Sequence, residues 1–129
     1  MSKIEKLRQA ILAADNIEAD QLVTYISDGH IEYRETSLKY KATVVVGLLD
    51  WKGDFNRVSK ALGDYLINHE PGAEFEALRF DVDVLSQELC DVRFTLPFTD
   101  MVIFEGDEYK SCDKPIDDLA NLLPVGKPQ

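Results

Sequence analysis

The sequence predicts an α+β fold, in which a mostly antiparallel sheet carries two helices on one face. Two segments repeat apolar residues at helical spacing, and several others alternate between apolar and polar residues. Their order is helix, hairpin, long strand, helix and then strands only. A chain of 129 residues fits one domain. We expect this domain to span residues 1–114, followed by an acidic and then Pro- and Gly-containing tail over residues 115–129.

The first helix is predicted to begin at Ser2, which can cap it, with Glu5 completing a capping box three residues later. Asp15-Asn16 ends the helical pattern. The apolar stripe recurs at steps of three and four residues, at Ile4, Leu7, Ile11 and Ala14.

A hairpin is predicted next, because two apolar segments, 22–27 and 30–34, flank Asp28-Gly29. An Asp-Gly pair suits the positive φ values of a tight turn. A short helix over Ala19–Ile26 is the competing interpretation, since Leu22, Tyr25 and Ile26 also fit helical spacing.

Leu38–Trp51 is the clearest strand, with alternating apolar residues and a β-branched middle. Val45 and Leu49 are apolar on its second face, which predicts a central strand covered on both sides. Lys52-Gly53 ends the strand, and Asp54 is a natural N-cap for the helix that follows.

The second helix is predicted to end at Pro71-Gly72, and Gly63 in its interior suggests close packing against a neighbour. Its buried stripe comprises Phe55, Val58, Leu62, Tyr65 and Leu66.

Only strands are predicted beyond this helix. The segment 78–84 alternates with its acidic side toward water, and 92–98 alternates likewise. Pro97 cannot donate a ladder hydrogen bond, so it marks a strand end, an edge or a bulge. A last hairpin is predicted around Gly106-Asp107.

The net charge of −10 is concentrated in the C-terminal half, since residues 1–69 have a balance of −1 and residues 70–129 a balance of −9. Such a surface repels phosphates, which argues against specific nucleic-acid binding. No apolar run approaches the ~20 residues of a membrane span, and the charged start lacks the apolar centre of a signal peptide. We therefore expect free thiols at Cys90 and Cys112, with a disulfide forming only if their strands pair.

No concentrated set of reactive residues indicates catalysis, a cofactor or a metal. His30 and His69 are isolated from each other and from the cysteines, so a zinc site lacks its ligand set. Asp81 and Asp83 share a strand face, which we interpret as a solvated face rather than an acid–base pair. Trp51 is expected in the core or at its rim rather than as an interaction anchor.

Several segments, taken in order, resemble the tail completion protein R (GpR) family of contractile-tailed temperate phages. They are Gly29-His30-Ile31, the strand 37–46, the turn Asp50-Trp51-Lys52-Gly53-Asp54, the helix end 62–66, the late segment 96–103 and Pro115. In the late segment an aromatic residue replaces the commoner second leucine, and an acidic-basic pair is reduced to Asp100. The resemblance covers roughly residues 3–118, and its structural motif residues are Gly29, Ile31, Leu38, Tyr40, Asp50, Trp51, Gly53 and Asp54.

The resemblance implies a structural, non-enzymatic protein that completes a phage tail at its head-proximal end. It also implies assembly in the host cytoplasm, contacts with tail tube, sheath and head–tail connector proteins, and a final place in the virion tail. The order of elements is similar to that of phage tail terminator proteins, which implies a homo-oligomer, with a hexameric ring as one form. No membrane or specific nucleic-acid partner and no cofactor is implied.

Two other functions stay open from the sequence. One is a cytosolic acidic adaptor or immunity-type protein that masks a basic partner, which the net charge favours. The other is a small hydrolase that uses His30, His69 or Asp81.

Overall fold

Five strands and two α-helices make up the part of the chain that the computed structural model describes, residues 2–70 and 78–112. A single 3-10 turn, Ala19–Gln21, lies between the first helix and the first strand. The elements in chain order are α1 (Ser2–Ala14), β1 (Leu22–Arg34), β2 (Ser37–Trp51), α2 (Phe55–His69), β3 (Arg79–Val84), β4 (Cys90–Glu105) and β5 (Glu108–Ser111).

The strands form one antiparallel sheet in the order β1-β2-β4-β3, and β5 pairs with the far end of β4. β2 is paired along both of its edges, so the predicted central strand is confirmed. Its second face is covered only in part, because Val45 is buried whereas Leu49 is exposed. The predicted α+β class is confirmed.

Both helices pack on the same face of the sheet, as predicted. Alternate residues of β2 and β4 supply the sheet side of the core, because successive side chains of a strand point to opposite faces. The helices contribute Leu7, Ile11, Val58, Leu62, Tyr65 and Leu66, and the two long strands contribute Val44, Val46, Leu48, Val92, Phe94, Leu96 and Phe98.

The tight turn predicted at Asp28-Gly29 is wrong. β1 runs without a break from Leu22 to Arg34, and the hairpin turns instead at Glu35-Thr36, since Arg34 is paired with Ser37. The competing short helix is also wrong, because helical structure ends at Gln21. An Asp-Gly pair has more than one use in a hairpin, and here it lies at a bulge.

The bulge is a register shift between Ile26 and Asp28, which leaves one extra residue, Ser27, in β1. Gly29 fits there because a Cβ atom at this position would lie 2.8 Å from the Lys41 carbonyl oxygen and 3.0 Å from the Ala42 Cβ atom. A glycine is therefore required at this position, but the reason is the close approach of the two strands and not a turn.

Two further details differ from the sequence predictions. Nothing lies within 4 Å of a Cβ atom placed on Gly63, so the close packing predicted there is wrong. β3 is exposed on both faces, and its apolar residues Phe80 and Val84 are as open to solvent as its acidic ones.

Pro97 lies within β4, beyond the last residue that pairs with β3, so it occupies an edge as expected.

The last hairpin is confirmed: Glu105 pairs with Glu108, and Gly106 adopts a positive φ of 67° at the turn. Three predictions lie outside the described residues. They are the capping side chain of Ser2, the helix stop at Pro71-Gly72 and the tail over 115–129.

Candidate functional site

The eight family-motif residues separate into two groups at opposite ends of β2. Leu38 and Tyr40 begin this strand, whereas Asp50 and Trp51 end it. Tyr40 and Asp50 are ten residues apart, which at about 3.3 Å per residue separates the two groups by about 33 Å along the strand. They therefore do not form one site. One group lies in the outer half of the β1–β2 hairpin, and the other forms the connection from β2 to α2.

In the hairpin, the motif residues share one face. Ile31 is paired with Tyr40, and Tyr33 with Leu38, and directly opposed residues of antiparallel strands point to the same side. Leu38 and Tyr40 alternate with Ala42 and Val44, so this is the side that carries the helices. We name these four residues, Ile31, Tyr33, Leu38 and Tyr40, the hairpin patch.

The hairpin patch is apolar and open to solvent. Ile31 is 55% exposed and Tyr33 is 76% exposed, while Leu38 and Tyr40 are half-buried. Without the extra residue Ser27, Ile31 and Tyr33 would point to the other face, because a one-residue slip reverses every side chain. The bulge therefore continues the apolar side of the sheet past the core, a feature typical of protein interaction sites.

The second group forms a strand–helix junction, in which Asp54 caps α2. Its Oδ1 atom accepts hydrogen bonds from the N–H groups of Asn56 (2.9 Å) and Arg57 (3.3 Å), as the sequence predicted. The N–H group of Asp54 in turn donates to Asp15 Oδ2 at 2.8 Å. This hydrogen bond lowers the pKa of Asp15 below its ordinary value and fixes the end of α1 to the start of α2.

Asp50 holds the end of β2 in a bulge. It is the described non-glycine residue with a positive φ, 48°, a backbone conformation that aspartate tolerates better than most residues. Its N–H group donates to Asp91 Oδ1 at 2.9 Å, and its carbonyl oxygen accepts from Gln21 Nε2 at 3.0 Å. The junction thereby joins the 3-10 turn, β2 and β4.

Trp51 lies in the core, as expected, with an exposed fraction of 3%. Gly53 lies against the edge of its indole ring: a Cβ atom on Gly53 would be 2.5 Å from Trp51 Nε1 and would also collide with the Asp15 carboxylate. The Trp51 carbonyl oxygen accepts from Cys90 Sγ at 3.6 Å. Cys90 and Cys112 are not joined in a disulfide. All four motif residues of this junction thus take part in contacts between elements of the fold.

The sequence patterns did not predict a buried ionic cluster formed by Lys3, Glu70 and the backbone of Thr99. Lys3 Nζ lies 2.5 Å from Glu70 Oε2, and both side chains are almost completely buried. Lys3 Nζ also donates to the carbonyl oxygens of His69 (2.9 Å) and Thr99. Glu70 Oε1 accepts from the Thr99 N–H group at 2.5 Å. The cluster fastens α1, α2 and β4 to one another at the end opposite the junction.

Burial governs the protonation of this cluster. It lowers the pKa of Lys3 and raises the pKa of Glu70, and the attraction between the two opposes both changes. Burial also raises the pKa of Tyr65, whose hydroxyl donates to the Lys3 carbonyl oxygen at 3.3 Å. Asp100, where the resemblance implies an acidic-basic pair, is buried beside them and contributes its charge to Lys3. That position was the only sequence signal for the cluster.

The residues considered for catalysis have ordinary partners. His30 Nε2 lies 3.3 Å from Glu32 Oε2 in the middle of β1. The ring centroids of His69 and Tyr65 are 4.6 Å apart. Asp81 and Asp83 both pair with Arg93, at 2.5 Å and 3.1 Å. Within residues 2–70 and 78–112 there is no group of three or more His, Cys, Asp or Glu side chains that could hold a metal ion. No helix of the described part is long and apolar enough to cross a membrane.

Comparison with known proteins identifies a family. Neither the curated proteins nor the solved structures contain a protein that matches the chain, so the likeness to tail terminator proteins stays a prediction. The family model described as P2 phage tail completion protein R (GpR) matches residues 1–117, which is most of the chain and includes both groups of motif residues. The chain therefore belongs to the P2 phage tail completion protein R family.

Proposed function

We propose that this tail completion protein acts at the head-proximal end of the phage tail, as a homo-oligomer that binds other tail proteins and carries out no reaction. The match to the family over residues 1–117 carries the proposal. Assembly takes place in the host cytoplasm, and the protein stays in the virion tail. Its partners are the tail tube, the sheath and the head–tail connector.

The hairpin patch supports a role through protein contacts. Three of its residues, Ile31, Leu38 and Tyr40, belong to the family motif. Ile31 and its neighbour Tyr33 contribute little to the core because more than half of each side chain is exposed. Apolar side chains that lie mostly outside the core, on an exposed surface at the end of a hairpin, are typical of a binding surface.

The acidic adaptor is less well supported. Its acidic strand face would include Asp81 and Asp83, but Arg93 pairs with both carboxylates. The hydrolase is also less well supported, because the described contacts of His30 and His69 are to different residues and do not bring the two histidines into one site.

Electron microscopy of particles produced without this gene tests the proposal. We expect tails of uncontrolled length, or finished heads and tails that fail to join. Normal virions would overturn the proposed function.

Complementation with point variants tests the surface. Ile31→Asp should abolish rescue while the far-ultraviolet circular dichroism of the purified protein stays unchanged. Ile67→Asp is a matched control, because Ile67 is 61% exposed and belongs to α2 rather than to the hairpin. Equal rescue by both variants would show that the hairpin patch makes no essential contact.

A further inference from the structure

The described part of the sheet has two edge strands, β1 and β3. Among the described residues β1 pairs only with β2, and β3 pairs only with β4. An unpaired edge strand exposes backbone N–H and C=O groups that can extend a sheet into another chain. β1 has 13 residues and β3 has 6, and most residues of both strands are exposed.

The two edges carry different apolar surfaces on the same side of the sheet. Phe80 is paired with Phe94, and Val82 with Val92, so both point toward the helix side, as the hairpin patch does. Phe80 is 58% exposed, even though it contacts the Phe55 ring with centroids 4.9 Å apart. An exposed apolar surface therefore lies at each of the two edge strands, on the same face of the sheet.

We propose that β1 of one copy pairs with β3 of the next copy, so that the sheet continues from subunit to subunit. This inference deepens the proposed function and rests on it for the place of the assembly in the tail. Two different surfaces that meet head to tail generate a ring or an open helix, whereas one self-complementary surface generates a dimer.

Strand direction fits this arrangement. Each neighbouring pair in the order β1-β2-β4-β3 is antiparallel, so β1 and β3 run in opposite directions. Rotation of a copy about an axis parallel to the strands keeps their direction and keeps the helices on the same side. The β3 edge of one copy then meets the β1 edge of the next as an antiparallel pair.

The opposite charges of Glu32 and Arg79 favour one register, in which Asp28 and Asp83 also lie opposite each other at the bulged end of the pair. When Glu32 lies opposite Arg79, Ile31 lies opposite Phe80, and His30 lies opposite Asp81. Arg79 is exposed and makes no ion pair within the described residues, so its guanidinium is accessible to a carboxylate of another copy. Glu32 already attracts Lys41 at 3.3 Å, and its carboxylate is still about one-third exposed. Opposite charges and apolar pairs directly across two strands are both stabilising.

Disulfide trapping tests the pairing on the purified full-length chain. In a Cys90→Ser, Cys112→Ser background, the pair Ile31→Cys and Phe80→Cys should give a ladder of covalent multimers on oxidation. Residues directly opposite in antiparallel strands are close enough for a disulfide. The matched control combines Ile31→Cys with Ile67→Cys, which places the second thiol on α2. Circular dichroism of each variant confirms that it is folded.

A charge exchange tests the register. Adding Arg79→Glu to the trapping pair should lower the yield of multimers about fivefold, and adding Glu32→Arg as well should restore it. Lys60→Glu, at an exposed position of α2, is the control for the change in net charge and should leave the yield unaltered.

The proposal is overturned if no ladder forms in the purified protein or in assembled particles, or if the control pair gives an equal ladder. It is also overturned if Ile31→Cys alone yields as much covalent dimer, since that indicates a symmetric contact. These results are independent of the proposed function, because defective tails without the gene together with no ladder would reject only the strand pairing. Normal virions together with a ladder would reject only the tail role.

Discussion

Lys3 and Glu70 form an ion pair inside the protein, with 2.5 Å between Nζ and Oε2. The pair joins the first turn of α1 to the residue that follows α2, and both partners also bind the backbone of Thr99 in β4. Removal of two charges from water costs free energy, which the attraction and the hydrogen bonds offset only while both partners are present.

The variant Lys3→Met should lower the free energy of unfolding by about 3–5 kcal/mol, because it leaves the Glu70 carboxylate buried without a counter-charge. Urea denaturation followed by circular dichroism measures the change. Lys60→Met is the matched control: Lys60 forms an ion pair with Asp64 on the exposed side of α2, where loss of the pair costs less than about 1 kcal/mol.

The double variant Lys3→Met, Glu70→Gln should recover much of that loss, since it removes both charges and keeps an acceptor for the Thr99 N–H group. Similar stabilities of Lys3→Met and Lys60→Met would contradict the role assigned to the cluster. If the double variant does not recover free energy of unfolding, the packing of the Lys3 side chain, rather than its charge, accounts for the loss.

Gly53→Ala should destabilise the protein by about 1–3 kcal/mol, because the added methyl group collides with the buried indole ring of Trp51. Gly63→Ala should instead stabilise it by about 0.5–1 kcal/mol, since Gly63 is in a helix interior with open space around it. Thermal and urea unfolding of the two variants check the opposite signs. Equal effects of the two substitutions would contradict the packing described at the junction.

Residues with strictly local roles were predictable from the sequence. The Asp54 cap, the central strand and the Gly106 turn each follow from a residue type and its immediate neighbours. The two-helix, one-sheet architecture followed because periodicity decides which residues face the core. The family could be named because its motif residues appear in order along the chain.

Features that depend on two distant segments were not predictable. Gly29 was interpreted as a turn because the sequence does not show that Lys41 and Ala42 lie against it. The partners Lys3 and Glu70 are distant in sequence, and each alone has the appearance of a surface charge. The exposure of β3 likewise depends on how far the helices extend across the sheet.

The junction should make stability depend on pH at the acid end. The hydrogen bond from the Asp54 N–H group holds the pKa of Asp15 below its ordinary value of 3.8. A carboxyl with a lowered pKa in the folded state stabilises the protein above its unfolded pKa, and this contribution is lost as the pH falls through the lowered value.

The stability difference between the wild type and Asp15→Asn should therefore be largest above about pH 4 and should shrink at lower pH. Urea midpoints measured between about pH 2 and pH 7 test this, and NMR titration of the carboxyl carbon reports the pKa directly. A difference that is constant over the whole range would show that the asparagine fails for a reason other than charge.

The bulge offers a test of how the hairpin patch is held in place. Gly29→Ala should force the strands apart beside Lys41 and Ala42 and lower the free energy of unfolding by about 1–3 kcal/mol. Amide hydrogen exchange should show faster exchange from Gly29 to Arg34, while the segment Leu22–Ile26, which precedes the bulge, keeps its protection.

Gly47→Ala is the matched control for this substitution in the same hairpin. A Cβ atom there lies 3.9 Å from Val23, an ordinary contact, so we expect a change of less than about 1 kcal/mol and no local increase in exchange. If Gly29→Ala exchanges as the wild type does, the bulge tolerates a side chain and its close approach does not fix the register. If protection is lost throughout β1, the two halves of the strand unfold as one unit, and the hairpin patch depends on the core rather than on the bulge.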